Sequence, residues 1–134
     1  GGAFYRGADG ALLVYDTTDF STFSQVELWR RELLQRVDGP EAFPIVCVGN
    51  KMDLPCPTRA EDEKAAEAWC AAHGVGLLFA SACDGTGVAV AMEAVAALAL
   101  ENKKRRQALG GTKPPSLSLD DLHAREKRGS SNCC

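Results

Sequence analysis

Continuous apolar runs and stretches of helical periodicity alternate along this chain. The three apolar runs are residues 11–15 (ALLVY), 44–49 (PIVCVG) and 76–80 (GLLFA). Each lacks polar alternation, which is typical of strands buried on both faces of a parallel sheet. After each run, apolar residues recur at three- and four-residue intervals and predict a helix. The three predicted helices are residues 23–37, 59–72 and 88–106.

The strand–helix order, repeated three times, predicts an α/β fold: a parallel sheet with helices on both faces. The inward residues that we expect in the second helix are Ala65, Ala68, Trp69 and Ala72. Those that we expect in the third helix are Val88, Met92, Val95 and Ala99. We expect Trp29 and Trp69 to be core residues.

Charge divides the chain into two parts. Residues 1–100 contain 7 basic and 14 acidic side chains, a net charge of −7, whereas residues 101–134 contain 8 and 4, a net charge of +4. An acidic body argues against a nucleic-acid partner, and a basic tail suits an anionic membrane surface or a solvated end. The glycine and proline pairs and the charged residues of the second part predict a disordered tail over residues 107–134. The remaining residues, 1–106, are predicted to form the folded domain.

The six cysteines do not suggest a disulfide framework or a zinc site. Cys47 and Cys70 fall inside apolar elements, where a free thiol behaves as a small hydrophobe, and the sequence has no CxxC pair. The first residue is Gly1, and no methionine precedes Met52. We therefore expect an N-terminally truncated chain, whether a fragment, an incomplete gene prediction or a processed form.

Ligands of open parallel sheets bind at the carboxyl ends of the strands. Here these ends lead into residues 16–18 (DTT), 49–53 (GNKMD) and 80–83 (ASAC). The sequence Asn-Lys-x-Asp at residues 50–53 resembles the guanine-specificity motif of small GTPases. A polar turn would use the same residue types, but the preceding strand and the Ser-Ala pair at residues 81–82 favour the motif.

The resemblance extends along the chain and is to the Rab family of small GTPases. The segments that carry it are 4–8 (FYRGA), 13–18 (LVYDTT), 21–23 (STF), 48–51 (VGNK) and 68–70 (AWC). It covers residues 3–100 and the extreme C-terminus, and it is greatest to the late-endosomal subgroup. It implies the C-terminal part of a P-loop-type small GTPase domain that binds GTP or GDP.

A carboxylate explains guanine selectivity, because one ionised Asp53 accepts from both the ring N–H and the neighbouring exocyclic amine, a pair of donors that adenine does not offer. The resemblance implies that Asn50 contacts the imidazole edge and that Lys51 lays its stem on the base. It also implies that Ser81 steadies Asp53 and that the amide of Ala82 meets the guanine carbonyl. The residues thereby assigned to the base are Asn50, Lys51, Asp53, Ser81, Ala82 and Cys83.

Three departures from the family pattern affect the expected activity. Cys83 stands where the family has a lysine. No GxxxxGK[ST] phosphate loop occurs in the sequence, and neither do the switch I threonine and the Asp-x-x-Gly-Gln stretch. The family's Mg²⁺ ligands are therefore missing. We expect no catalytic residue in this chain, and we expect it alone neither to bind GTP tightly nor to hydrolyse it.

The chain ends in Cys133 and Cys134 behind a basic linker, which resembles the double-cysteine prenylation signal of Rabs. Two lipid chains give stable membrane anchoring where one gives only marginal binding. Two ordinary thiols at a frayed end are the alternative.

The resemblance implies a monomeric molecular switch on the cytoplasmic face of endosomal or late-endosomal membranes that cycles with the cytosol. Its implied partners are Rab effectors, an exchange factor, a GTPase-activating protein, a prenylation escort and a dissociation inhibitor. The main alternative is a prenylated Rab-like interaction module that is indifferent to nucleotide. An unrelated α/β domain with a coincidental motif is the third possibility.

Overall fold

The computed structural model describes residues 5–110 of the 134-residue chain. Three strands alternate with three long helices, and two short 3-10 helices, Phe20–Thr22 and Pro40–Ala42, lie in the connections. In chain order the long elements are β1 (Ala11–Asp16), α1 (Phe23–Leu34), β2 (Ile45–Asn50), α2 (Arg59–His73), β3 (Gly76–Phe79) and α3 (Val88–Gly110).

The three strands form one parallel sheet in the order β1-β2-β3. Leu13 lies opposite Cys47, and Val48 lies opposite Leu78. β2 is the central strand, and its first five residues are all buried. This explains its unbroken apolar sequence, because both faces of the strand are covered by helices.

One face of the sheet packs against α1 and α2. Its core includes Tyr15 and Cys47 from the strands, Val26 from α1 and Cys70 from α2. Burial raises the pKa of Tyr15. A hydrogen bond with Cys70, together with burial, raises the pKa of the Cys47 thiol. Cys47 therefore stays protonated at neutral pH, and both cysteines are free thiols of the core.

The other face packs against α3. Val46 and Val48 of β2 meet Ala91 of α3, and Leu12 and Val95 lie partly buried beside them. Because neighbouring strand residues point to opposite faces, Val46 and Cys47 serve different cores. The predicted parallel sheet with helices on both faces is thus confirmed.

The predicted inward faces of two helices were partly wrong. In α2 the buried residues are Ala66 and Cys70, with Trp69 partly buried, whereas the predicted alanines at 65, 68 and 72 are exposed. In α3 the predicted Val88 and Met92 are 38% and 56% exposed. Alanine is abundant on every side of both helices, so periodicity alone did not identify the side that meets the sheet.

The ends of two helices also differ from the predictions. α1 ends at Leu34, before the predicted residue 37, because the chain leaves the helix there through turns and bends. α3 continues to Gly110, so the predicted start of the tail at residue 107 falls inside it. Residues 103–109 contain only good helix formers, which explains the extension. The rest of the predicted tail lies outside the described residues.

The two tryptophans differ in environment. Trp29 is 41% exposed and is not the core residue that we predicted. Trp69 packs edge-on against Phe23, with ring centroids 5.4 Å apart, and is partly buried.

None of the helices within residues 5–110 combines the length and the apolar composition needed to span a bilayer.

Candidate functional site

The carboxyl ends of all three strands meet at one edge of the sheet. Asp16 at the end of β1 lies opposite Asn50 at the end of β2. The amide of Met52 donates to the carbonyl of Ala80 over 3.2 Å, which joins the loops after β2 and β3. The three loops that the sequence selected therefore form one continuous surface.

Asp53 is held by Ser81. The Ser81 hydroxyl donates to Oδ1 of Asp53 over 2.8 Å. Ser81 is only 1% exposed and also accepts from the amide of Asp84 over 3.3 Å. The Asp53 side chain is exposed. Since the Ser81 hydroxyl holds one carboxylate oxygen, the carboxylate is oriented, and it can still accept hydrogen bonds from a ligand.

Asn50 joins all three loops. Its side-chain Oδ1 accepts from the amide of Ala82 over 3.0 Å. Its main-chain carbonyl accepts from both the amide and the hydroxyl of Thr17, over 3.0 and 2.7 Å. The Ala82 amide, predicted to meet a guanine carbonyl, is thus engaged by Asn50 here. A ligand oxygen would share this donor with Asn50 or replace it.

Lys51 adopts an unusual backbone conformation and makes an ion pair. Its φ is 67°, the only positive φ at a non-glycine residue in the described part of the chain. Its Nζ lies 2.8 Å from Oδ2 of Asp16. Hydrogen bonds from Lys51 and Thr18 lower the pKa of Asp16 to about 2. The hydrogen bond to Asp16 raises the pKa of Lys51.

The backbone beneath these side chains is closely packed. A Cβ on Gly49 would lie 2.7 Å from a ring carbon of Phe79 and 2.8 Å from the methyl group of Thr17. Both distances are shorter than van der Waals contact, so glycine is required at this position. Thr17 is itself only 3% exposed. The strand end before the predicted base-binding loop is therefore tightly packed.

Two residues of this site were not singled out from the sequence. Arg59, the first residue of α2, donates to the carbonyl of Leu54 over 2.6 Å and to the Thr17 hydroxyl over 3.4 Å. It thereby fastens the loop that follows Asp53. Thr17 was recognised only as part of a polar loop. Nothing in the local sequence identified the contact between Arg59 and Thr17, because the two residues are 42 positions apart.

The described residues do not form a metal site. Within residues 5–110 no group of three or more His, Cys, Asp or Glu side chains could hold a metal ion. Cys83 is an exposed free thiol beside Ala82. The predicted lipidation residues Cys133 and Cys134 lie outside the described part of the chain.

The parallel sheet has a central strand that leads into Asn-Lys-x-Asp, and Ser81, in the loop after the next strand, is hydrogen-bonded to Asp53. This arrangement is similar to the small GTPase domain that the sequence predicted. Comparison with known proteins agrees: the Ras family profile matches residues 2–101. The chain therefore belongs to the Ras family. Its relatives identify it further as a Rab-type member most similar to the Rab7 group.

Three relatives illustrate the similarity. Ras-related protein Rab-7a of Paramecium octaurelia is 34% identical over 137 residues, which cover 100% of this chain and 65% of the relative. Ras-related protein Rab7 of Cenchrus ciliaris is 36% identical, with coverage of 100% and 65%. Ras-related protein Rab7 of Pisum sativum is 40% identical over 111 residues, with coverage of 80% and 54%. The chain thus spans less than two thirds of each relative's length.

Proposed function

We propose that this chain supplies the guanine-recognition part of a Rab-type GTP-binding switch that acts in endosomal membrane traffic. The observation that carries the proposal is the 2.8 Å hydrogen bond from the Ser81 hydroxyl to Asp53. It orients an exposed carboxylate at the carboxyl edge of a parallel sheet, which is where such folds bind nucleotides.

The site's residues have separate roles in this proposal. Asp53 accepts the ring N–H and the exocyclic amine of guanine, a pair of donors that adenine does not have. Asn50, fixed by Thr17 and Ala82, presents its amide nitrogen to the imidazole edge of the base. The stem of Lys51 covers the base. Cys83, which is exposed, leaves the opposite side less covered than a lysine stem would.

Phosphate chemistry is assigned to the whole protein and not to the residues described here. A phosphate loop holds the phosphates through backbone N–H groups and a lysine, and this sequence contains no such motif. In a complete switch the third phosphate orders the switch segments, effectors bind that state and hydrolysis releases it. Magnesium, when bound to such a loop, neutralises phosphate charge.

A titration with a fluorescent guanosine diphosphate tests this division of roles. We expect weak, guanine-selective binding by the chain itself. A version extended at its N-terminus with the phosphate-loop and switch segments of a Rab7 relative should bind at least a hundredfold more tightly. The matched control is the same extension carrying Asp53→Ala. Equally tight binding by the chain without the extension would contradict the assignment.

We propose in addition that Cys133 and Cys134 accept prenyl groups, which would place the protein on endosomal membranes. The support is the sequence of the tail and the family to which the chain belongs. Incubation with a prenyl diphosphate and a Rab-prenylating enzyme should add two lipid groups, as read by mass spectrometry. The double variant Cys133→Ser with Cys134→Ser should receive no lipid group, whereas Cys83→Ser should still receive two.

A nucleotide-independent interaction module is the second candidate function. It is favoured by Cys83, which replaces the family's lysine, and by the Ala82 amide, which is already engaged by Asn50. The same titration separates the candidates. If neither the chain nor its extended version binds guanosine diphosphate, the module is the better account.

A further inference from the structure

The ion pair between Lys51 and Asp16 links the predicted base-binding loop to the neighbouring strand. Asp16 ends β1 and Lys51 directly follows β2, so the lysine side chain crosses from the end of one strand to the end of the other. Lys51 is 49% exposed and Asp16 is 22% exposed. The contact is therefore reachable by solvent and lies at the surface where a ligand would bind.

Asp16 is a well-fixed partner. Its Oδ1 accepts from the amide and the hydroxyl of Thr18, over 2.9 and 2.7 Å. Its own amide donates to the hydroxyl of Thr22 over 3.0 Å. Oδ2 of Asp16 is the atom that contacts Lys51. Because its other groups are engaged locally, Asp16 offers the lysine an acceptor at a defined place.

An ion pair at Lys51 would reduce the entropy that this residue loses when a ligand binds. A positive φ is disfavoured for any residue with a Cβ, and a free lysine side chain has many rotamers to lose on binding. With Nζ held by Asp16, the stem is restricted before a base arrives. Pre-organisation of this kind lowers the entropic cost of binding.

We propose that Asp16 is a positioning residue of the guanine site, which holds the Lys51 ammonium so that the lysine stem is ordered beside the base. This inference rests on the proposed function. It assigns Asp16 no contact with the nucleotide. The effect is that of a half-exposed ion pair, and we expect guanosine diphosphate affinity to fall about threefold to tenfold without it.

The test compares Asp16→Asn with a matched charge removal. Asparagine keeps an oxygen that accepts from Thr18 and loses the charge that holds Lys51. Asp9→Asn removes the same charge from a second exposed pair, Lys103 with Asp9 at 4.0 Å. The first readout is the acylation rate of each lysine, followed by mass spectrometry. The second is the affinity of the full chain for guanosine diphosphate.

We expect Asp16→Asn to raise the Lys51 acylation rate severalfold while the rate at the exposed Lys64 stays constant. The variant should weaken guanosine diphosphate binding, whereas Asp9→Asn should change neither readout at Lys51. The affinity loss should vanish in a Lys51→Met background. A merely structural role of Asp16 would leave the same loss in that background.

Each contrary result has a distinct meaning. An unchanged Lys51 acylation rate in Asp16→Asn overturns the positioning role, and so does unchanged or tighter nucleotide binding by that variant. If neither the chain nor its N-terminally extended version binds guanosine diphosphate while the Lys51 acylation of the chain responds to Asp16→Asn, the proposed function fails. The assignment of Asp16 as the residue that holds Lys51 then still stands.

Discussion

The carboxyl end of the sheet and the outer edge of β1 are both exposed, yet they are built differently. At the carboxyl end, Asn50, Asp53 and Ser81 find hydrogen-bond partners within the loops themselves. At the outer edge of β1, no strand within residues 5–110 pairs with the backbone. The first surface is organised before any ligand arrives, whereas the second has backbone groups that another strand would satisfy.

The outer edge of β1 also adjoins an open apolar cavity of about 400 Å³. The cavity is lined by Tyr5, Ala8, Gly10, Ala11, Leu12, Leu13, Trp29 and Leu33. Apolar walls beside an unpaired strand edge favour association with other chains. The strand ends are thus organised by side-chain hydrogen bonds, whereas at the outer edge of β1 we expect association with other chains.

The largest expected effect follows from the close packing at the carboxyl end. Gly49→Ala should lower the free energy of unfolding by about 2–3 kcal/mol, because the new methyl group would overlap Phe79 and Thr17. Urea unfolding followed by fluorescence measures this loss. Gly76→Ala is the matched strand control, since its Cβ would meet only a methyl group of Val46 at 3.9 Å. Equal losses in both variants would contradict the close packing.

A smaller effect is expected when the support of Asp53 is removed. Ser81→Ala should cost about 1–2 kcal/mol of stability, because a buried hydroxyl is lost and the amide of Asp84 loses its acceptor. It should also weaken guanine binding, since Asp53 is no longer oriented. Chemical unfolding and nucleotide titration measure the two losses. A stability loss with unchanged guanine affinity would show that Asp53 does not need Ser81.

A charge introduced on β1 tests whether the outer edge of this strand causes association. Val14 is 44% exposed in this strand, and Val14→Lys should raise severalfold the concentration at which light scattering shows association. Its free energy of unfolding should change by less than about 1 kcal/mol. The control is Val90→Lys, at a 57% exposed position on α3. If this control suppressed association equally, general surface apolarity and not the β1 edge would be responsible.

The smallest effect is a pH dependence carried by Asp16. Its pKa falls from 3.8 to about 2 on folding, so its stabilising contribution is complete above about pH 4 and disappears as the pH falls towards 2. The stability difference between the wild type and Asp16→Asn should therefore be constant from pH 5 to 7. It should shrink between pH 4 and 2. Urea unfolding across this range measures it, and a difference as large at pH 2 as at pH 6 would argue against an ionised Asp16.

The sequence predicted the strands, the sheet type and the meeting of the three loops, because long apolar runs leave little ambiguity. It did not predict which side of the alanine-rich helices faces the sheet, as Ala66 and Ala91 show. It also missed Arg59, whose contact with Thr17 depends on tertiary approach. Local patterns identify elements, whereas contacts between distant residues depend on how those elements pack.

The guanine specificity of the loop that contains Asp53 is the central claim. The direct measurement is a titration of the isotope-labelled full chain, with the amide resonances of Lys51, Asp53 and Ala82 followed by NMR. We predict that guanosine diphosphate shifts these resonances, that adenosine diphosphate at equal concentration does not, and that Asp53→Ala abolishes the difference. Equal shifts with both nucleotides, or no shifts with guanosine diphosphate at millimolar concentration, would contradict the account.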